Sequence, residues 1–193
     1  MSEDSFMDAP DRRLQLLDAT RRVIARLGIR RMRMEDVARE AGVSAGLPYR
    51  HFAGRDELVT ALLDHLVSTP ARTPSATGGS GLLPALSYGL SEDPDARITA
   101  QAWGELYAEA RFDAELRARL VASVDPWIDE VADSLAVETG RPVAEVRPAA
   151  ERLVALAEGV MSWWQLDRVD AARAYKLLQD AAMQSVTQLS QGR

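Results

Sequence analysis

The stretch from Met34 to Glu57, MEDVAREAGVSAGLPYRHFAGRDE, constrains the fold more than any other part of the chain. It reads as two short helices joined by a tight turn, with a third helix following. Met34, Val37, Ala38 and Ala41 recur at helical spacing. Gly42 stands where that helix should end, because glycine tolerates the left-handed backbone that reverses a chain within a few residues. Ser44 follows as an N-cap candidate, its hydroxyl able to accept from a free backbone N–H. Val43 would plug the angle between the helices, and the small Ala38 would let them approach closely. This is the pattern of a helix-turn-helix, which presents one helix to the DNA major groove. An ordinary helical corner in a core has a similar pattern, so the flanking residues decide.

Those residues make the resemblance specific. Residues 12 to about 66 resemble the DNA-binding domain of the TetR family of bacterial transcriptional regulators. The match runs through Leu17-Asp18-Ala19 in a first helix and the Leu27-Gly28-Ile29 exit. It continues through Met34-Glu35-Asp36-Val37-Ala38, Ala41-Gly42-Val43-Ser44, Gly46, Tyr49, His51-Phe52 and Arg55-Asp56-Glu57-Leu58. The resemblance implies a dimeric repressor whose second domain binds a small-molecule inducer. It also implies roles. Tyr49, His51 and Arg55 match positions that contact phosphate, and Ala45, Leu47 and Pro48 match positions that face base edges, beside Ser44.

Two departures stand out. Arg33 occupies the place where the family usually has Thr before the second helix; it cannot cap as Thr does, but it can reach a phosphate. Leu47-Pro48 occupies the place of Thr-Leu or a close variant. With Ser44 as N-cap, Pro48 would fall at the fourth helical position and lack the N–H that bonds back to the Ser44 carbonyl. The start of the recognition helix is therefore expected to be loosened or 3₁₀-like. Arg50 is expected to be exposed on that helix, where a guanidinium pairs well with guanine O6 and N7. Glu35 could accept from a cytosine amino group, or be a solvated glutamate.

Charge supports this placement. The 193-residue chain carries −6 overall, yet residues 12–55 hold 11 Arg against four acids, a net of +7. Residues 1–11 carry −4 and residues 56–193 carry −9. The basic charge is thus concentrated in the segment that would face phosphates. Arg12, Arg13, Arg30, Arg31 and Arg33 are the phosphate candidates; Arg21, Arg22 and Arg26 read as surface residues of the first helix.

The remainder reads as helices. Leu14, Leu17, Ile24 and Leu27 form a stripe on the first helix, and Leu58, Leu62 and Leu66 one on the fourth. Residues 68–81, STPARTPSATGGSG, form a loop or linker by composition. Helices are expected at Leu82–Leu90, Pro94–Arg111 and Ala114–Thr139, the last kinked at Pro126. Two more are expected over 143–166, with Val146, Leu153, Ala157, Val160 and Trp164 in a stripe, and over 170–190, with Tyr175, Leu178, Ala182 and Leu189. In the family the last two helices form a four-helix dimer interface; the alternative is that both stripes pack inside a monomer.

The fold class expected is all-α. An acidic tail over 1–11 precedes a three-helix DNA-binding domain over 12–55 and a larger ligand-binding and dimerisation domain over 56–193. Candidate ligand contacts are Tyr88, Trp103, Tyr107, Trp127, Met161 and Trp164, with core packing as the alternative for each; Glu105 or Glu109 near them would favour a cation. The expected partners are a palindromic double-stranded DNA operator, a small-molecule inducer and a second copy of the chain. No cofactor, metal or membrane is expected. The N-terminus MSEDSFMDAP is no signal peptide, no apolar run approaches a membrane span, and the absence of cysteine suits a reducing cytoplasm. With two histidines, His51 and His65, and no nucleophile–base group, phosphate loop or metal-ligand cluster, no catalytic residue is assigned. Other readings are an activator, or a helical ligand-binding or interaction protein whose helix-turn-helix has degenerated.

Overall fold

The computed structural model describes residues 9–68, 81–87 and 89–191, and among these every regular element is a helix. They are α1 (Ala9–Leu27), α2 (Met34–Glu40), α3 (Pro48–His51), α4 (Arg55–Ser68), α5 (Leu82–Leu86), α6 (Pro94–Glu109), α7 (Ala114–Ala122), α8 (Val124–Thr139), α9 (Val143–Gln165) and α10 (Ala171–Gln191). Of the linker expected over 68–81, residues 69–80 lie outside the described residues, as does most of the acidic tail; Ser68 closes α4 and Gly81 precedes α5. Residues 9–11 belong to α1, with Asp11 in its first turn, where an acid suits the helix dipole.

Two hydrophobic cores organise these helices. The first gathers Leu16, Val23 and Ile24 of α1, Val37 of α2, Phe52, and Leu58, Leu62 and Leu63 of α4. It also takes Leu106 and Ala110 from α6 and its end, and Leu116 and Leu120 from α7. The second packs α5, α8, α9 and α10 around Leu86, Val131, Leu135, Ala157 and Leu178. Helix α1 is covered on two sides, by α2 and α4 and by α6. Its buried face is therefore wider than the expected stripe: Leu16 and Val23 are fully buried, whereas Leu14 is exposed.

Three boundaries differ from expectation for local reasons. Helices α5 and α6 stop earlier, at Leu86 and Glu109. The helix expected over 114–139 is two helices that meet at Ser123. Pro126 has no N–H for the carbonyl of Ala122 and its ring would crowd that carbonyl. The chain breaks there, and the Ser123 hydroxyl donates to the Leu120 carbonyl at 2.7 Å. Gly140, at φ +66°, closes α8 in the left-handed conformation that favours glycine.

Candidate nucleic-acid interface and ligand cavity

The turn between α2 and α3 follows its residues closely. Gly42 has φ +68°, and a Cβ added there would meet nothing within 4 Å, so backbone conformation alone calls for glycine. The Val43 N–H donates to the Ala38 carbonyl at 2.9 Å. Arg33 is the N-cap of α2, and its N–H donates to the Asp36 carboxylate at 3.1 Å. Asp36 thereby provides the capping that Arg33 cannot, since a guanidinium has no acceptor.

The proline reshapes the reading helix as expected. Ser44 opens an i→i+3 turn, its carbonyl accepting from the Leu47 N–H at 2.9 Å. Regular helix starts only at Pro48, with Leu47 as N-cap. Proline at that first position loses no hydrogen bond, because the N–H would be free anyway. Ser44 is thus not the cap and keeps its hydroxyl on the exposed surface. Pro48 itself is buried, which removes it from the base-facing set. Ala45 and Arg50 are exposed and Leu47 is half-buried.

Charges divide into those that hold the fold and those that face outward. The Arg13 guanidinium donates to the His51 carbonyl at 2.9 Å and lies 4.2 Å from the centroid of the Phe52 ring. Arg30 pairs with Glu109 at 3.2 Å and stacks over Phe112 at 4.6 Å. Both were phosphate candidates, and both are committed to structure. Arg31, Arg33 and Arg50 are exposed and form no ion pair among the described residues, whereas Arg55 pairs with Asp56 at 3.2 Å. Tyr49, 53% exposed, donates its hydroxyl to Glu35 at 3.2 Å. Partial desolvation and this bond hold the phenol above its ordinary value, so it stays a donor. A phosphate at Tyr49 would have to replace the Glu35 carboxylate. His51, the last residue of α3, is half-buried.

Arg21 corrects the sequence reading most sharply. Expected on the surface, it is only 7% exposed. It donates to Asp18 at 2.7 Å, to the Asp95 carboxylate at 2.7 Å, to the Asp95 carbonyl at 3.0 Å and to Thr99 at 2.8 Å. One guanidinium fork thus ties α1 to the first turns of α6. A second tie lies at the other end of α1. Gly28 has φ +77°, and a Cβ there would sit 2.9 Å from the Glu105 carboxylate, which accepts from the Ile29 N–H at 3.1 Å. Glu105 and Glu109 therefore face this joint rather than a ligand.

Below the joint lies a cavity of about 1210 Å³. Its wall includes Leu17, Asp18 and Arg21 of α1 and His65 and Leu66 of α4, and residues of α5, α6, α8 and α9. Trp103, Tyr107, Trp127 and Met161 line it as expected. Trp103 and Tyr107, one turn apart on α6, place their rings 6.3 Å apart. Trp164 does not line the cavity: it is buried in the second core beneath Arg97, whose guanidinium lies 5.2 Å from its ring. Tyr88 is outside the described residues. Sequence reasoning missed Glu130 and Glu158, which also line the cavity. Their signal is weak, because single glutamates on amphipathic helices usually face solvent.

The stripes expected to pair two subunits face inward instead, except at Tyr175, which is 44% exposed. Val146, Leu153, Ala157, Val160 and Trp164 of α9, with Leu178 and Ala182 of α10, pack into the second core. The outer faces of the same helices carry Leu156, Trp163 and Met183, which are 41%, 50% and 60% exposed.

A helix-turn-helix head joined by buried contacts to a helical domain with a large cavity defines a DNA-binding transcription regulator that responds to a ligand. Comparison with known proteins makes the class specific. Residues 16–62 match the model of the bacterial regulatory proteins of the tetR family. A solved structure of a Rhodococcus sp. protein assigned to the TetR family is 32% identical, with a TM-score of 0.79, over 91% of this chain and 99% of that one. The chain belongs to the TetR family. It is 28% identical over 179 residues to the HTH-type transcriptional regulator BetI of Brucella melitensis biotype 2, which covers 89% of each. A regulator from Saccharomonospora viridis, solved in complex with choline, shares the fold at 19% identity and a TM-score of 0.75, over 89% of this chain and 95% of that one. Among the described residues no helix is long and apolar enough to cross a membrane, and no group of His, Asp or Glu is arranged to hold a metal.

Proposed function

We propose that this protein is a cytoplasmic, homodimeric repressor that holds a palindromic operator and releases it when a small molecule enters the cavity. The observation that carries the reading is the position of the cavity: its wall includes parts of α1 and α4, the two helices that brace α2 and α3 from behind. A ligand that moves this wall moves the reading head, and the two binding events then oppose each other by equal free energies.

DNA reading is assigned to residues 12–55, and ligand binding and dimerisation to residues 56–193. Arg50 reads a guanine, Ala45 and Leu47 make apolar contacts to base edges, and Ser44, Tyr49, His51, Arg55 and Arg33 hold phosphates. Glu35 orients Tyr49 in the free protein. Two copies meet through the outer faces of α9 and α10, with Leu156, Trp163 and Met183 at the contact. In the complex the paired heads sit about one DNA turn apart.

The test is capture of fragmented DNA from the source organism by the purified protein at physiological salt, followed by sequencing. A shared palindrome, bound by two chains, supports the reading. Recovery of no common sequence by ligand-free protein contradicts it, and favours a helical binding protein whose reading head no longer works.

A further inference from the structure

We infer that the cavity accepts a bulky organic cation, which deepens the ligand-responsive reading above and rests on it. Size comes first. At about 1210 Å³ the cavity exceeds the ~300–1,000 Å³ usual for small-molecule sites, so a small polar metabolite would leave most of it unfilled. Its occupant has a large apolar or aromatic body.

The sign of the charge follows from what each lining group already does. Arg21 is fully engaged by Asp18, Asp95 and Thr99, which leaves no free cation at that end. Asp93 caps α6 by accepting from the Asp95 N–H at 3.0 Å. Burial holds the His65 imidazole below its ordinary value, with Asp18 opposing the effect and Arg21 adding to it, so the ring is neutral at pH 7. Glu130 and Glu158 then face the cavity, opposed by Arg111, whose side chain is exposed. An anion placed inside meets two carboxylates, whereas a cation is drawn in by both.

The aromatic residues complete the site. The Tyr107 hydroxyl donates to the Glu158 carboxylate at 2.6 Å, which places a ring and an anion side by side. Trp103 lies one turn away on α6, and Trp127 is fixed from α8 by donating its indole N–H to the Ala85 carbonyl at 2.8 Å. Tyr107 is 38% exposed, so this pair stands at the mouth of the cavity. Rings beside carboxylates are the chemistry that holds an organic cation: π faces take the charge and its apolar envelope together.

Three probes separate charge from size: cationic tetraphenylphosphonium and anionic tetraphenylborate, of nearly equal shape, and neutral triphenylphosphine oxide, which is one ring smaller. Each is titrated into the full-length protein and followed by calorimetry and by tryptophan fluorescence. The cation should bind at least about tenfold more tightly than the other two. Glu158→Gln and Glu130→Gln should each weaken cation binding by about tenfold, leave the neutral probe unaffected, and keep the wild-type melting curve. Equal affinity for all three probes, a preference for the borate, or unchanged cation binding in both variants would overturn the inference. The genomic DNA capture runs in parallel. Operator capture without cation preference rejects the ligand class and leaves the regulator standing. Cation preference without operator capture supports the cavity chemistry and rejects the regulator.

Discussion

The reading head and the cavity are built on opposite principles. In the head, the apolar side chains of residues 34–58 pack closely: Met34, Val37, Ala38, Phe52 and Leu58 are all buried. Phe52 is buried under α1 with Arg13 stacked on it, Val43 fills the corner, and Gly42 takes the one backbone conformation that lets the corner form. Around the cavity, side chains line space, and long-range contacts such as those of Arg21 tie the walls to one another. A dense head can hold a fixed shape against DNA, and a hollow domain can change shape when something fills it. The first core joins the two, since α6 and α7 pack against α1 and α4 within it.

Substitutions can break or sharpen that contrast. The largest effect should come from Phe52→Ala, at about 3–5 kcal/mol in denaturant unfolding, because a filled core becomes a void. Met161→Ala, at the cavity wall, should cost about 1 kcal/mol, since Met161 already lacks neighbours on one side. Equal losses at the two sites would remove the distinction between a dense head and a hollow domain. Next comes the tie between them. Arg21→Met strips partners from Asp18 and Asp95, and should destabilise the protein by about 1–3 kcal/mol. Unchanged unfolding would show that the joint does not depend on this fork.

Smaller effects lie on the reading surface. Arg50→Ala should cost about 1–3 kcal/mol at one base pair of the operator and leave the others alone, as measured on single-substitution operators. A uniform loss across positions would make Arg50 a phosphate contact. Arg55→Ala should weaken binding to every sequence and lower the slope of log affinity against log salt by about one. An unaltered slope would take Arg55 off the backbone. The smallest effect is on pH. The folded His65 binds its proton less readily than the unfolded side chain, whose ordinary value is 6.5. The unfolded state thus takes up protons first as pH falls, and stability drops below about pH 6.5. His65→Gln should flatten that part of the stability profile, and an identical profile would show that His65 does not contribute to it.

The same contrast explains what was legible in the sequence. Gly42, Val43 and Phe52 act on neighbours a few residues away, so their pattern carries its meaning locally. Pro48 also acts locally, and the loosened start of α3 follows from its missing N–H; its burial does not, because that depends on how α3 packs. Pro126 announced a disturbance, but whether a helix bends or ends is decided by packing, and here it ends at Ala122. Arg21 looked like a surface residue because its partner, Asp95, lies 74 positions away. Periodicity located the apolar stripes of α9 and α10 correctly but did not show what covers them; the chain's own helices do so. Glu130 and Glu158 carry no local mark, because a cavity is made by what several helices leave unfilled.

Coupling between the two regions can be tested before any ligand is identified, because linkage acts in both directions. Amide hydrogen exchange should be measured on the free protein and on the protein bound to its captured operator. The account predicts altered protection in the reading head and also along α6, from Asp95 to Glu109, where α1 is tied to the cavity wall. Changes confined to residues 12–55, with α6 exchanging identically in both states, would contradict it.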